Sequence, residues 1–193
     1  MPPFFILLPA FFSKLLFKDN LAFFIFSVKI ALVDREINFL SKQIGRLLTK
    51  KRLTLAVAES CTGGLLSSAI TDIGGSSKYF LLGIVAYSRI QKEKLLKIPL
   101  SILKKYSPVS QETVKLMAQN IRKIALTDIG IGITGYAGPK GGRLKNPRGT
   151  VYIGLAFKEK TEVKKYSFGG QRKEIKKKAV KKALELLRQE VME

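Results

Sequence analysis

Leu53-Thr-Leu-Ala-Val-Ala-Glu-Ser-Cys-Thr-Gly-Gly64 is the stretch from which the fold can be read. Its first half, Leu53–Ala58, is apolar and partly β-branched, which predicts a buried strand. Beyond Gly64, the residues Leu65, Leu66, Ala69, Ile70 and Ile73 recur at helical spacing. A strand therefore runs into Ser60, Cys61 and Thr62, and Gly63 and Gly64 open a helix. Helix N-termini carry unpaired N–H groups and a partial positive charge, so this corner suits an anion or a developing oxyanion. A plainer role, a strand–helix turn capped by Thr62, fits the same residues.

Outward from that corner, helices and strands alternate. On its N-terminal side, Ile37, Leu40, Ile44, Leu47 and Leu48 form one apolar helical stripe ending at Lys50-Lys51-Arg52. On the other side, Gly74-Gly75-Ser76-Ser77 reads as a turn and Phe80–Tyr87 as a second strand. Short helical pieces are expected over Lys92–Lys97 and Ile102–Tyr106, around Pro99. Ser110 announces a longer helix with Glu112 in its first turn and Val114, Met117, Ala118, Ile121, Ile124 and Ala125 on its buried face. Ile129, Ile131 and Ile133 alternate with glycines as a third strand, and the missing side chains imply a close neighbour on that face. The glycine-rich loop Thr134–Gly142 follows. Gly149–Phe157 and Val163–Phe168 form a hairpin, and the closing helix buries Ile175, Ala179, Ala183, Leu187 and Val191. Its lysines, Lys176, Lys177, Lys181 and Lys182, read as a solvated face. This order predicts a three-layer α/β/α domain with a mixed, mostly parallel sheet.

Composition narrows the chemistry. The chain has 193 residues, 35 Lys and Arg against 14 acids, and a formal charge of +21. That charge attracts phosphates, nucleic acids or anionic membranes. The lysines are spread along the chain, which favours a general Lys-rich habit. A single cysteine excludes an internal disulfide framework and fits a reducing, cytoplasmic setting. Histidine is absent altogether, which removes Ser-His-Asp and Cys-His catalysis and His-ligated zinc. No metal and no cofactor is expected. Residues 1–33 are apolar but interrupted by Pro9 and by Lys18-Asp19-Asn20, and neither run is the roughly 18–20 residues a spanning helix needs. They read as an N-terminal extension or a misplaced start, with membrane-surface contact as the alternative, and residues 34–193 as the domain proper.

Ser60, Tyr87 and Thr134 all stand at strand ends, and would share one sheet edge if the three strands are parallel neighbours. Lys92, five residues beyond Tyr87, can reach that edge. Without histidine, Lys92 is the natural base for Ser60, provided that burial or a nearby cation such as Arg172 lowers its pKa. Lys92 could equally be one surface lysine among many, and Tyr87 a strand tyrosine.

Several pieces then come together in order: Leu55–Gly64, Thr71–Ser77, Tyr87-Ser88 with Lys92, Pro108-Val109-Ser110, Thr134–Pro139 with Gly141-Gly142, and Pro147–Val151. With them, residues 34–193 resemble the CinA C-terminal domain, the nicotinamide-nucleotide amidohydrolase (PncC) family. The resemblance implies hydrolysis of the carboxamide of nicotinamide mononucleotide to the acid, with release of ammonia. It implies Ser60 as nucleophile, Lys92 as its base partner and Tyr87 as an assistant. Thr134 would line the site with Gly135, and Arg172 would complete it against the substrate phosphate. The corner residues Thr62, Gly63 and Gly64 would receive the oxyanion. Lys140, Gln171 and Arg89 depart from the family's usual residues. The alternative reading is a catalytically idle domain that binds a nucleotide or nucleic acid and serves DNA uptake or repair. Self-association is left open by the sequence.

Overall fold

The computed structural model describes residues 32–142 and 146–192. The expectation for residues 1–33 lies almost entirely outside them, and residues 32 and 33 already belong to the first helix. Helix α1 covers 32–51 of the described residues. It is followed by β1 (Leu55–Glu59), α2 (Leu65–Thr71), a 3-10 turn (Ser76–Lys78), β2 (Phe80–Val85), α3 (Arg89–Leu96), α4 (Leu100–Tyr106) and α5 (Gln111–Ala125). The chain continues through β3 (Ile129–Gly135), β4 (Thr150–Ala156) and β5 (Thr161–Ser167) into α6 (Arg172–Met192).

The five strands form one sheet in the order β2-β1-β3-β4-β5. β1 pairs in parallel with β2 and β3, whereas β3–β4 and β4–β5 are antiparallel. The sheet is thus mixed: four strands share a direction and only β4 is reversed, but the pairings divide evenly between the two kinds. The chain turns back after β3 to lay β4 beside it rather than crossing over, and the expected hairpin then adds β5 antiparallel to β4.

Helices cover both faces. Leu55 and Val57 of β1 join Ile129, Ile131 and Ile133 under α1, α2 and α6. Ala56 and Ala58 face the other way, against α3, α4 and α5 through Leu96, Leu103, Met117 and Ile121. This is the strict alternation of a central strand buried on both sides.

The glycines of β3 act as expected. A Cβ on Gly130 would stand 2.1 Å from the Ala118 carbonyl oxygen, and one on Gly132 would stand 2.8 Å from the Ala118 nitrogen. Helix α5 therefore lies directly on the sheet backbone. Its buried face is narrower than the sequence suggests: Ile124 is exposed, in the last turn before the helix ends at Ala125. Among the described residues, no helix is long and apolar enough to cross a membrane.

Candidate active site

The site is built on the last residue of β1. Glu59 is fully buried. Its carboxylate accepts hydrogen bonds from the N–H groups of Gly64 (3.0 Å), Leu66 (3.2 Å) and Ser67 (2.8 Å), and from the Ser67 hydroxyl (2.7 Å). A buried carboxylate is tolerable when several donors surround it, and the start of a helix supplies them together with the positive end of its dipole. Glu59 thus caps α2 from the strand. Gly64 sits at the N-cap position with φ 91°, and no side chain caps the helix from there.

This arrangement corrects two expectations. Thr62 does not cap α2; its hydroxyl is buried and has no partner among the described residues. Nor are the amides of Gly63 and Gly64 free for an oxyanion. Gly64 N–H is held by Glu59, and Gly63 N–H donates to the Ser60 carbonyl at 3.1 Å. The glycines are needed for their left-handed backbones, φ 62° and 91°, which turn the strand into the helix. The Thr62 amide is left at this corner without a hydrogen-bond partner among the described residues.

The same turn holds Ser60 next to Lys92. Ser88 caps α3 by accepting from the Gln91 N–H, and that helix carries Lys92 on its inner side. Lys92 is 1% exposed, and its Nζ lies 2.8 Å from Ser60 Oγ, 2.8 Å from the Ala86 carbonyl and 3.5 Å from the Tyr87 carbonyl. Burial pushes its pKa down from 10.5 to about 8. Of the two causes the sequence left open, burial and a nearby cation such as Arg172, it is burial that acts. Once one proton is lost, two N–H groups can remain on the carbonyls while the lone pair faces the serine hydroxyl.

Cys61 is the rival nucleophile in the same turn. Burial pushes its thiol up to about 12, against a smaller opposing pull from the Lys92 charge. It therefore stays a thiol at neutral pH, and thiols are poor nucleophiles.

The remaining predicted residues divide into two groups. Arg172, at the first turn of α6, donates to the Tyr87 hydroxyl at 2.8 Å and to the Gly138 carbonyl. The hydroxyl of Tyr87 is thus held by Arg172, and only its carbonyl approaches Lys92. Thr134 is buried, and its hydroxyl donates to the Pro108 carbonyl at 2.9 Å, so it anchors the loop before α5. Gly135 pairs with Val151, and a Cβ there would lie 2.6 Å from the Thr150 carbonyl oxygen, so packing against β4 requires a glycine. Sequence reasoning did not single out Lys176 for the site. Its Nζ lies 3.4 Å from where a Gly63 Cβ would stand, which puts a third cation over the corner. Its spacing of four from Arg172 was the available signal, since such pairs share a helix face.

Fold and site together define a three-layer α/β/α protein with a buried serine–lysine pair at the carboxyl edge of its parallel strands. The chain belongs to the family described as the CinA C-terminal domain, which residues 37–191 match. A Thermoanaerobacter pseudethanolicus protein named for competence-damage induction is 51% identical over 143 residues, covering 74% of this chain and 35% of that protein. A CinA-like protein of Endomicrobium trichonymphae is 48% identical over 153 residues, 79% of this chain and 36% of its own length. The chain thus spans about a third of these curated relatives. Among solved structures, the competence damage-inducible protein A of Klebsiella pneumoniae superimposes with a TM-score of 0.79 at 33% identity, over 81% of this chain and 97% of that one.

Proposed function

We propose that the chain hydrolyses the carboxamide of nicotinamide mononucleotide, giving nicotinate mononucleotide and ammonia through an ester on Ser60. The observation that carries this reading is the 2.8 Å contact between Ser60 Oγ and a buried Lys92 whose pKa falls to about 8. Neutral Lys92 takes the serine proton as Oγ attacks the amide carbon. The negative charge that forms on the amide oxygen is assigned to the Thr62 amide, and a donor in that role typically contributes about 3–4 kcal/mol. The C–N bond then breaks, the Lys92 ammonium returns its proton to the departing nitrogen, and ammonia leaves. Water, deprotonated by Lys92, attacks the ester; the proton goes back to Ser60 Oγ, and the carboxylic acid is released.

Arg172 and Lys176 suit the substrate's phosphate, one as a planar fork and the other as a point charge. Tyr87 is a positioning residue in this scheme, since its hydroxyl orients Arg172 and does not touch Ser60. Ammonia release from nicotinamide mononucleotide by the full chain, compared with Ser60→Ala, is the deciding measurement. Turnover that disappears in the variant supports the proposal. Equal background in both would leave the chain as a binding domain.

A further inference from the structure

The opposite edge of the sheet holds a feature that the proposed reaction does not use. A cavity of about 580 Å³ is lined by α1 (Lys42, Gly45, Arg46, Lys50), by the Ile73–Gly75 turn, and by Lys78 and Tyr79. Tyr79 leads into β2, and its carbonyl accepts from the N–H of Leu55 at the start of β1. The cavity therefore sits at the amino ends of the parallel strands, while Ser60 stands at their carboxyl ends.

Four cations line this cavity and no carboxylate does. None of Lys42, Arg46, Lys50 and Lys78 takes part in an ion pair or side-chain hydrogen bond among the described residues. The first turns of the same helix differ: Asp34 and Glu36 are paired with Lys177 and Lys181 of α6. A basic residue suits the last turn of a helix, which accounts for Lys50 alone. Arg46 and Lys42 lie one and two turns further in, on the same face by their spacing of four. The wall also contains an unmet polar group. The Tyr79 hydroxyl is buried, stands against Gly45 of α1 and has no partner among the described residues. Buried hydroxyls without partners are disfavoured and rare. Beside it, Gly74 and Gly75 leave open space where side chains would be.

We propose that this cavity binds a small polyanion carrying two or more phosphoryl groups. A concave site of this volume falls in the range of small-molecule pockets, roughly 300–1,000 Å³, rather than that of a flat track for a duplex. Four unpaired cations converging from separate segments call for several negative charges on one ligand.

The test is calorimetric titration of the full chain with inorganic tripolyphosphate at 150 mM salt, roughly physiological strength. Three triple or double variants accompany the wild type. Lys42→Gln/Arg46→Gln/Lys50→Gln removes exposed cavity cations and should weaken binding at least tenfold. Arg172→Gln/Lys176→Gln removes any second binding event at the Ser60 edge but should leave the cavity's affinity within about twofold, as should Lys94→Gln/Lys104→Gln/Lys105→Gln elsewhere on the surface. Loss in the Arg172/Lys176 variant alone would move the ligand to the other edge and overturn the proposal. Equal losses in all variants would reduce it to diffuse charge, and so would the absence of binding at this salt. A single-stranded oligonucleotide that binds more tightly through Lys42, Arg46 and Lys50 would overturn the small-ligand reading. Because no arm measures turnover, failure here leaves the proposed amidase reaction standing, and failure of that reaction leaves this site standing.

Discussion

Burial and the proposed reaction ask the same thing of Lys92. Burial favours the neutral amine, and the reaction needs that amine as a base. With a pKa of about 8, roughly a tenth of the molecules carry it neutral at pH 7. The rate of ammonia release should therefore rise with pH and level off above about 8. Lys92→Arg keeps the charge but cannot give up a proton, so kcat should fall by roughly 10²–10⁴; a near-normal kcat would remove Lys92 from the mechanism. The same shift affects stability. Below the folded value both states are charged, and the folded protein carries the buried ammonium at a disadvantage of about 3 kcal/mol. Between about 8 and 10.5 the unfolded chain binds more protons, so stability rises with pH through that window. Lys92→Met should accordingly be the more stable protein at pH 7 by denaturant titration, with the gap closing as the pH approaches 10.5. A gap that is absent at pH 7 would mean that the lysine is not desolvated. Ser60 and Lys92 were legible as partners in the sequence because the lack of histidine left few bases. The fate of Glu59 was not, since periodicity shows that a residue is buried but not which donors a buried acid will take.

At the scale of elements, α2 and α5 depend on contacts that tolerate little change. Glu59→Gln keeps the shape but brings an amide NH2 towards donors that need an acceptor. A loss of about 2–3 kcal/mol is expected, or roughly 5–10 °C in Tm for a chain of this size, by calorimetry. A smaller change would mean that α2 is stable without its strand-borne cap. Gly132→Ala would drive a Cβ to 2.8 Å from the backbone of α5 and should destabilise the fold severely or prevent its formation. Ile124→Lys, at the exposed end of that helix, should shift stability by no more than about 0.5 kcal/mol. The glycine–isoleucine alternation of β3 was legible because a missing side chain is itself a packing statement. The buried span of α5 was overread, because a helical stripe continues in sequence into a last turn whose Ile124 stands exposed.

Across the whole molecule, excess positive charge and a site with Arg172 and Lys176 at its mouth suit an anionic substrate. If nicotinamide mononucleotide is turned over, kcat/KM should decline as salt is raised, with kcat nearly constant, because screening acts on encounter rather than on the chemical step. A kcat/KM that does not respond to salt would show that the net charge has no part in capture. The layered architecture and the shared strand edge followed from the order of elements. The even division of the sheet's pairings did not, since it depends on where the hairpin docks and not on any one strand's composition.

Arg172 has a consequence for how the molecule comes into being. It joins the first turn of α6 to Tyr87 at the end of β2 and to the loop carbonyl of Gly138. The same helix lays Ile175, Ala179, Ala183 and Leu187 across the core that α1 and β1 began. Ser60 and Lys92 come before α6 in the chain, so the parts that close over them are translated after them. A ribosome that has made the chain up to Gly170 has made the serine–lysine pair without its cover, facing a half-open core. Domains fold as units during synthesis at roughly 5–20 residues per second, so the serine–lysine pair gains its cover only in the seconds after Gly170, as α6 is made.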